Sequence, residues 1–341
     1  MTGGDREEDV EGTPWPEGVR KRADRKRPDV TVVIPTYNRA DFVGRAVASA
    51  LDQPEGLMVE VRVVDDGSTD RTREALRPFG EEIRIIAFGE NQGRNVARNA
   101  GRLEAAGDWV KFLDSDDMLE PGALRDEVNA GAAAGADIVV TSWRSSGADG
   151  DSLDVHEVAG FARGVDSILA GEAVPTSAAL YKRCFIGDVP WDTGLKKLDD
   201  WEYFTRAFLK GARLARLPRV SYTWVSHEGQ GVRQSSLFEN AREHHTILGR
   251  IEERLRESGS LTLDRRKRLA QYYYKELRVL SLHDRAAFES AAEHIRELDD
   301  GFRPRDEERQ WWMRCLAAVF GFRSAVLLHT AVKRAFKPGT A

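Results

Sequence analysis

The chain has 341 residues, of which 41% are hydrophobic and 31% are charged, and its formal net charge is −5. This composition is typical of a globular protein that can bury a substantial core, and the negative balance argues against a general nucleic-acid binder. Only two cysteines occur, Cys184 and Cys315, so the sequence contains no disulfide framework and no cysteine-based zinc site.

Residues 1–28 are charged and rich in glycine and proline, and they show no apolar periodicity. We therefore predict a disordered tail. No apolar stretch there resembles a signal peptide, and no run approaches the ~18 continuous apolar residues of a spanning helix. These features predict a cytoplasmic protein.

From Val30 onward, short apolar runs alternate with segments of helical spacing. The predicted strands cover residues 31–34, 59–64, 83–88, 109–113 and 137–141. The predicted helices between them cover residues 41–52, 70–79, 91–106 and 121–134. Strands that alternate with helices at this spacing predict βαβ units and a parallel sheet.

After Gly147 this alternation loosens. Short elements are predicted at residues 165–169 and 178–183, a helix at 201–209, and one or two strands within 214–224. Beyond Phe238 the pattern is helical, over residues 239–258, 263–282 and 285–298. We therefore divide the chain into the tail of residues 1–28, an α/β domain of residues 29–237, and a helical region of residues 238–341.

The C-terminal residues 309–341 contain six Lys or Arg and no acidic residue, interleaved with Trp311, Trp312 and other apolar side chains. A basic amphipathic helix that carries tryptophan suits a membrane surface, here the inner face of the plasma membrane. A C-terminal helix packed on the body of the protein has the same pattern. The sequence leaves both alternatives open.

Polar or aromatic side chains follow three of the predicted strands. Tyr37 comes shortly after the first, Asp66 after the second and Asp114 after the fourth. Ligands of open α/β sheets bind at the carboxyl ends of the strands, so we expect these side chains to border one crevice. Tyr37 can stack on a flat base there, and Asp66 can accept the N–H group of a base such as uracil.

Asp114 and Asp116 are two positions apart at a strand end, where alternate side chains point the same way. Their hard oxygen atoms suit Mn²⁺ or Mg²⁺ held between protein and phosphate oxygens. Arg94 and Arg98 lie on one face at the start of a predicted helix, and helix N-termini attract anions. A diphosphate and the acidic cluster are both suitable partners for these arginines.

In four segments, taken in order, the chain resembles the inverting nucleotide-sugar glycosyltransferases of family 2. The matching segments are Pro35-Thr36-Tyr37-Asn38-Arg39, Val64-Asp65-Asp66-Gly67-Ser68-Thr69-Asp70, Asn91-Gln92-Gly93 with Ala97-Arg98-Asn99, and Phe112-Leu113-Asp114-Ser115-Asp116-Asp117. The resemblance covers roughly residues 30–230. It implies an α/β protein of the GT-A fold, with a Rossmann-like, mostly parallel sheet flanked by helices, and a helical C-terminal appendage.

The resemblance also implies roles for single residues. The residues implied to bind a nucleoside diphosphate sugar, with UDP favoured, are Pro35, Tyr37, Asp66, Arg98, Asp114 and Ser115. Asp116 would ligate Mn²⁺ or Mg²⁺. His227 follows a Tyr-containing segment similar to one that carries a metal-proximal histidine in the family, and a structural histidine is the alternative. The acid pair on the acceptor side corresponds to Asp199 and Asp200, with Asp200 as general base.

The residues themselves indicate the same chemistry. A carboxylate at Asp200, flanked by Asp199 and beside Trp201, should have a raised pKa and could take a proton from an acceptor hydroxyl. The oxygen would then attack C1 opposite the diphosphate and invert its configuration. Family members with these motifs build capsule, cell-wall, glycolipid and glycopeptide linkages, so the donor sugar and the acceptor stay open.

Other classes of protein fit less well. An NAD(P) dehydrogenase would need a glycine triplet after the first strand, where this chain has Pro35-Thr36-Tyr37-Asn38. A sugar nucleotidyltransferase would need a glycine-rich basic loop at the same place. A non-catalytic sugar-nucleotide or glycan-binding module is the alternative function, although the retained acid pairs argue against it. No nucleic-acid partner is expected, and a homo-oligomer stays open.

Overall fold

The computed structural model describes residues 27–302 apart from 54–55, 147–152, 159–160, 162, 173, 226–236 and 284. The strands are β1 (Val30–Thr36), β2 (Val59–Asp65), β3 (Ile83–Ala87), β4 (Trp109–Phe112), β5 (Met118–Leu119), β6 (Ile138–Ser146), β7 (Leu153–His156), β8 (Ala179–Lys182) and β9 (Leu214–Val225). The α-helices are α1 (Val43–Leu51), α2 (Thr72–Leu76), α3 (Arg94–Glu104), α4 (Ala123–Ala134), α5 (Val165–Ile168), α6 (Arg183–Ile186), α7 (Asp199–Leu209), α8 (Leu237–Glu257), α9 (Leu263–His283) and α10 (Arg285–Leu298).

The described strands form one mixed sheet in the order β3-β2-β1-β4-β8-β6-β9-β5, with β7 beside β6. Strand β1 pairs in parallel with β2 on one side and with β4 on the other, and β2 pairs in parallel with β3. The chain thus reverses its direction of travel across the sheet between β1 and β4. In an open α/β sheet, the carboxyl ends of strands at such a switch point border a crevice.

The predicted parallel sheet needs one correction, because four of the strand pairs among the described residues are antiparallel. Strand β8 runs in reverse between β4 and β6, and it enters from a short 3₁₀ turn at Thr176–Ala178. The partners of β8 lie far from it along the chain, so its direction has no local sequence signal. Since β8 separates them, β4 and β6 still point the same way, and β9 is parallel to β6. The carboxyl ends of β1, β4, β6 and β9 therefore share one edge.

Close packing positions helix α3 against the sheet. Every residue of β1 is buried, and α3 approaches it at Gly101, where a Cβ atom would lie 2.2 Å from Val33 Cγ1. Only glycine allows this approach. Because α3 follows β3 directly, its first residues lie at the carboxyl edge of the sheet.

Helices α8, α9 and α10 pack on one another around a second apolar cluster that includes Ile251, Leu269 and Phe288. An ion pair of 2.7 Å between Arg254 and Glu202 links α8 to α7. The predicted domain boundaries stay predictions. Residues 1–26 of the predicted tail and the basic stretch 309–341 lie outside the described residues. No helix in the described part of the chain has the length and apolar character needed to cross a membrane.

Candidate active site

A cavity of about 760 Å³ opens at the carboxyl edge of the sheet, where β1 and β4 end. Most residues that we predicted to bind the donor or the metal line it: Pro35, Tyr37, Asp66, Asp114, Ser115 and Asp116. The rest of the wall comes from the start of α3, from the segment before α7 and from the end of β9. The cavity therefore brings together side chains of the quoted motifs that are up to 81 positions apart, from Pro35 to Asp116.

Tyr37 lies in the cavity wall with 41% of its surface exposed. The next residue, Asn38, has a left-handed backbone with φ of 51°, which asparagine tolerates better than most residues. Its side-chain oxygen accepts hydrogen bonds from the amides of Thr69 and Asp70 at 2.9 and 3.3 Å, and its amide donates to Ser68 Oγ at 3.0 Å. These bonds join the turns after β1 and β2 and fix the backbone beside Tyr37.

Asp66 is buried in the same wall. Its two carboxylate oxygens accept hydrogen bonds from the backbone amides of Gln92, at 2.7 Å, and Gly93, at 2.9 Å. The neighbouring Gly67 has φ of 75°, and a Cβ atom there would lie 2.4 Å from the carbonyl carbon of Glu90. The carboxylate is thus held by fixed donors, and each oxygen keeps a second lone pair that can accept the N–H of a base.

The turn after β4 concentrates negative charge. Asp114 has a side chain 45% exposed, whereas Asp116 is 17% exposed and its Oδ2 lies 3.6 Å from Arg39 Nε. Asp117 is buried, and burial together with the charges of Asp114 and Asp116 raises its pKa well above the ordinary value. The three carboxylates repel one another in the absence of a further cation.

This donor set fits Mn²⁺ or Mg²⁺. Asp114 and Asp116 offer hard oxygen atoms at the cavity wall, and two carboxylates leave positions for phosphate oxygens and water. A divalent cation would also relieve the repulsion within the turn. Among the described residues, no group of three His, Cys, Asp or Glu is arranged to hold a metal alone. The predicted ligand His227 lies outside the described residues.

Arg98 lies behind the cavity wall and is 3% exposed. Its Nη2 donates to Asp114 Oδ1 and its Nη1 donates to Asp199 Oδ2, both at 2.8 Å. The guanidinium carbon lies 4.8 Å from the centre of the Trp191 ring, which covers it. Arg98 therefore connects the acidic turn after β4 to the first residue of α7, and it does not line the cavity.

Asp199 is held by both arginines of α3. Arg94 donates from Nε and Nη2 to the two carboxylate oxygens, at 2.9 and 2.7 Å, in the bidentate geometry of strong ion pairs. Burial by itself would raise the pKa of Asp199, but the charges of Arg98 and Arg94 outweigh it and hold the pKa below the ordinary value. An ionised carboxylate with this many partners is a poor proton acceptor.

Asp200, the next residue, is half-buried and differs from its neighbour. Its Oδ1 accepts the Trp201 amide at 2.9 Å. Burial and the charge of Asp199 raise the pKa of Asp200 to about 7, against smaller opposite effects of that hydrogen bond, Arg94 and Arg98. The adjacent acids therefore have pKa values pushed apart, and Asp200 has the value that suits a general base at neutral pH.

Arg94, for which the sequence offers a diphosphate or the acidic cluster as partner, lines the cavity as well as binding Asp199. Part of the cavity wall was absent from the predicted site. Lys196 and Trp224 line the cavity too, but no local pattern marks them. They reach it through the packing of the loop before α7 and through the position of β9 in the sheet.

Residues 31–178 match the sequence model of the family described as Glycosyl transferase family 2. The succinoglycan biosynthesis protein ExoO of Rhizobium meliloti (strain 1021) is 35% identical over 218 residues, which are 60% of this chain and 62% of ExoO. Residues 31–178 are thus similar to glycosyltransferase family 2, and the predicted resemblance and enzyme class agree with both matches. The chain spans about three fifths of the length of ExoO.

Solved structures share the fold. S. aureus TarS 1–349, in complex with UDP-GlcNAc, has a TM-score of 0.66 at 18% identity, and the match covers 90% of this chain and 92% of that one. The mannosyltransferase PcManGT from Pyrobaculum calidifontis, in complex with GDP-Man and Mn²⁺, has a TM-score of 0.51 at 19% identity, covering 91% and 88%. These likenesses confirm the predicted α/β fold of GT-A type with a helical C-terminal region.

Proposed function

We propose that this protein transfers a sugar from a nucleoside diphosphate sugar to an acceptor hydroxyl, with inversion at C1 and with Mn²⁺ or Mg²⁺ as cofactor. The observation that carries the proposal is the contrast between two adjacent acids beside the cavity. Asp199 is ionised between two arginines, whereas Asp200 has a pKa of about 7. The match of residues 31–178 to glycosyltransferase family 2 supports the reaction class.

In the proposed step, Asp200 takes the proton of the acceptor hydroxyl while the hydroxyl oxygen forms a bond to C1. The bond from C1 to the diphosphate oxygen breaks on the opposite face, and its electron pair leaves with the diphosphate. One displacement therefore inverts C1. A single carboxylate suffices, in contrast to the paired carboxylates of glycoside hydrolases.

The donor would occupy the cavity with its base against Tyr37 and Asp66. Tyr37 offers an exposed ring, and Asp66 a fixed carboxylate acceptor. We favour UDP because uracil presents an N–H group between two carbonyls, and the UDP-GlcNAc bound to the structurally similar TarS supports that choice. Asp114 and Ser115 would then face the ribose or the sugar, and Pro35 lies in the same wall near the end of β1.

Asp116, with Asp114 beside it, would hold the divalent cation, which when bound supplies Lewis acidity and balances the charge of the diphosphate. The Mn²⁺ in the PcManGT complex supports this cofactor. In this arrangement Arg98 holds Asp114 in place from behind, through their 2.8 Å hydrogen bond. His227 remains a predicted second ligand.

The name of ExoO supports a role in polysaccharide biosynthesis, with an acceptor that belongs to a growing glycan. The predicted cytoplasmic location remains a prediction. The same is true of the contact of residues 309–341 with the inner membrane face and of a homo-oligomer.

Turnover by Asp200→Asn tests the proposal. With Mn²⁺ and a panel of nucleoside diphosphate sugars, we expect the wild type to consume one donor, and the variant to lose about 10²–10⁴-fold in rate while its donor affinity stays within about twofold. Asp188→Asn is the matched control, since that side chain is 75% exposed. Normal turnover by Asp200→Asn would refute the base, and tight donor binding without turnover by the wild type would favour the binding module.

A further inference from the structure

We infer that the sheet face beside the donor cavity is an acceptor subsite for a pyranose-containing saccharide, formed by Trp143, His156 and Trp224. The inference rests on the proposed function and deepens it, because it names the residues that would bind the acceptor saccharide.

The ends of β6, β7 and β9 place four side chains on one face. Trp143 on β6 pairs with His156 on β7, and Ser145 on β6 pairs with Trp224 on β9. Directly paired residues share a face, and so do residues two positions apart along a strand. The two tryptophans, the serine and the histidine are therefore on the same side of the sheet.

The opposite face carries a different, polar set. Arg144 Nη1 and Thr223 Oγ1 both donate to Glu120 Oε1, at 3.3 and 2.7 Å. These residues alternate with the aromatic ones along β6 and β9. Their shared partner confirms the assignment of the two faces.

The aromatic face is the one that faces the reacting groups. Trp224 lines the donor cavity. Tyr222, two positions earlier on β9, is buried within range of the charges of Asp117, Asp114 and Asp200, which with burial raise its pKa. An acceptor that lies on this face can therefore present a hydroxyl toward Asp200.

The aromatic rings and the polar groups beside them can contact both the C–H groups and the hydroxyls of a sugar. Trp143 and His156 are stacked, with centroids 5.1 Å apart and planes inclined by 15°, and Ser145 Oγ lies 2.9 Å from His156 Nε2. His156 is exposed. The C–H groups on one side of a pyranose carry partial positive charge and pack on the negative face of an aromatic ring, while Ser145 and His156 can hydrogen-bond its hydroxyls.

The dimensions fit a short saccharide. Two strand spacings separate β9 from β7, about 10 Å in all, which is close to the length of a disaccharide. A flexible polyol phosphate has no flat apolar side and would gain little from this surface. The geometry thus favours a glycan acceptor over a polyol-phosphate polymer.

Saturation-transfer NMR on the UDP- and Mn²⁺-loaded protein tests the inference, with cellobiose and lactose as probes and ribitol 5-phosphate as the acyclic comparison. We expect the disaccharides to bind and Trp143→Ala or His156→Ala to weaken them roughly tenfold, the effect of one lost stacking contact. Trp143→Phe should restore most of the binding. Val155→Ala, on the other face of β7 and 55% exposed, should change nothing.

Trp143 packs partly against the core, so Trp143→Ala can fail to fold. In that case His156→Ala tests whether this face binds the disaccharide. Equal disaccharide binding by His156→Ala and the wild type, no disaccharide binding at all, or preferential binding of ribitol 5-phosphate would each overturn the inference. If UDP binds and donor turnover persists in those cases, the subsite alone is refuted. Failure to bind UDP or to consume any donor would instead refute the proposed function.

Discussion

At the residue scale, the proposed chemistry depends on two adjacent aspartates that the fold makes different. Arg94 and Arg98 both bind the carboxylate of Asp199. Asp200 interacts with their charges only at a longer range, without hydrogen bonds to them. The first acid is thereby kept ionised, and its charge in turn helps to raise the pKa of the second. One acid thus serves to position the arginines and to tune its neighbour.

The pH dependence of turnover follows from this pair. A general base acts when it is deprotonated, so kcat/KM should rise with pH through about 7 and level off above it. Two pH units below that midpoint, the rate should be about 100-fold lower. Initial rates between about pH 5 and pH 9 measure this profile, and a rate independent of pH across that range would exclude Asp200 as the base.

The same pKa predicts an effect on stability. The folded value of about 7 lies above the ordinary 3.8, so the folded state binds the proton more tightly, and its stability falls as the pH rises between these values. The substitution Asp200→Asn removes this pH-dependent loss of stability. Allowing for partial exposure, its free energy of unfolding should exceed that of the wild type by about 1–2 kcal/mol at pH 8.

At acidic pH, below the ordinary value of 3.8, the two proteins should be equally stable, because Asp200 is then protonated in both states. Urea unfolding at the two pH values measures the difference. A variant that is less stable than the wild type at pH 8 would show that the carboxylate makes favourable contacts outweighing its burial.

At the element scale, the site depends on turns that connect strand ends to one another. The turn after β2 is held against the segment before α3 by Asp66, and Gly67 lets the two backbones approach. Asn38 links the same turn to the end of β1. The backbone positions of Tyr37 and Asp66 therefore depend on these turns.

Gly67→Ala should disturb this arrangement. The added methyl group would meet the Glu90 backbone at 2.4 Å in a left-handed conformation, so we expect a loss of about 1–3 kcal/mol in stability and weaker UDP binding because Asp66 shifts. Gly44→Ala in α1 is the matched control, since nothing lies within 4 Å of its Cβ position. Urea unfolding and UDP calorimetry measure both effects, and unchanged values for Gly67→Ala would contradict the argument.

The elements with local signals were predictable from the sequence. Strands β1–β4 and helices α8–α10 follow apolar periodicity and lie close to their predicted bounds. The direction of β8, the two-residue β5 and the pairing of β7 with β6 depend on partners far along the chain, so no local pattern could give them. Likewise, the motifs pointed to the strand-end acids, but the position of Arg98 behind the wall depends on how α3 meets α7.

At the scale of the whole molecule, the cavity lies where two halves of one sheet meet. Strands β3-β2-β1-β4 supply the side chains assigned to the nucleotide and the cation, and the mixed half, with β6 and β9, supplies the face assigned to the acceptor. Helix α7 brings the acid pair between them and is linked to α8 by Glu202 and Arg254. This division predicts that donor binding and proton abstraction can be lost separately.

Calorimetric titration of UDP into the wild type, Asp116→Asn and Asp200→Asn, each with and without Mn²⁺, tests that claim most directly. We expect Mn²⁺ to strengthen UDP binding to the wild type and to Asp200→Asn by the same factor, within about twofold, while Asp116→Asn loses about 10–100-fold in Mn²⁺-dependent affinity, as metal sites do when a ligand or its support is removed. Mn²⁺-dependent UDP binding that survives in Asp116→Asn, or that disappears in Asp200→Asn, would contradict the account.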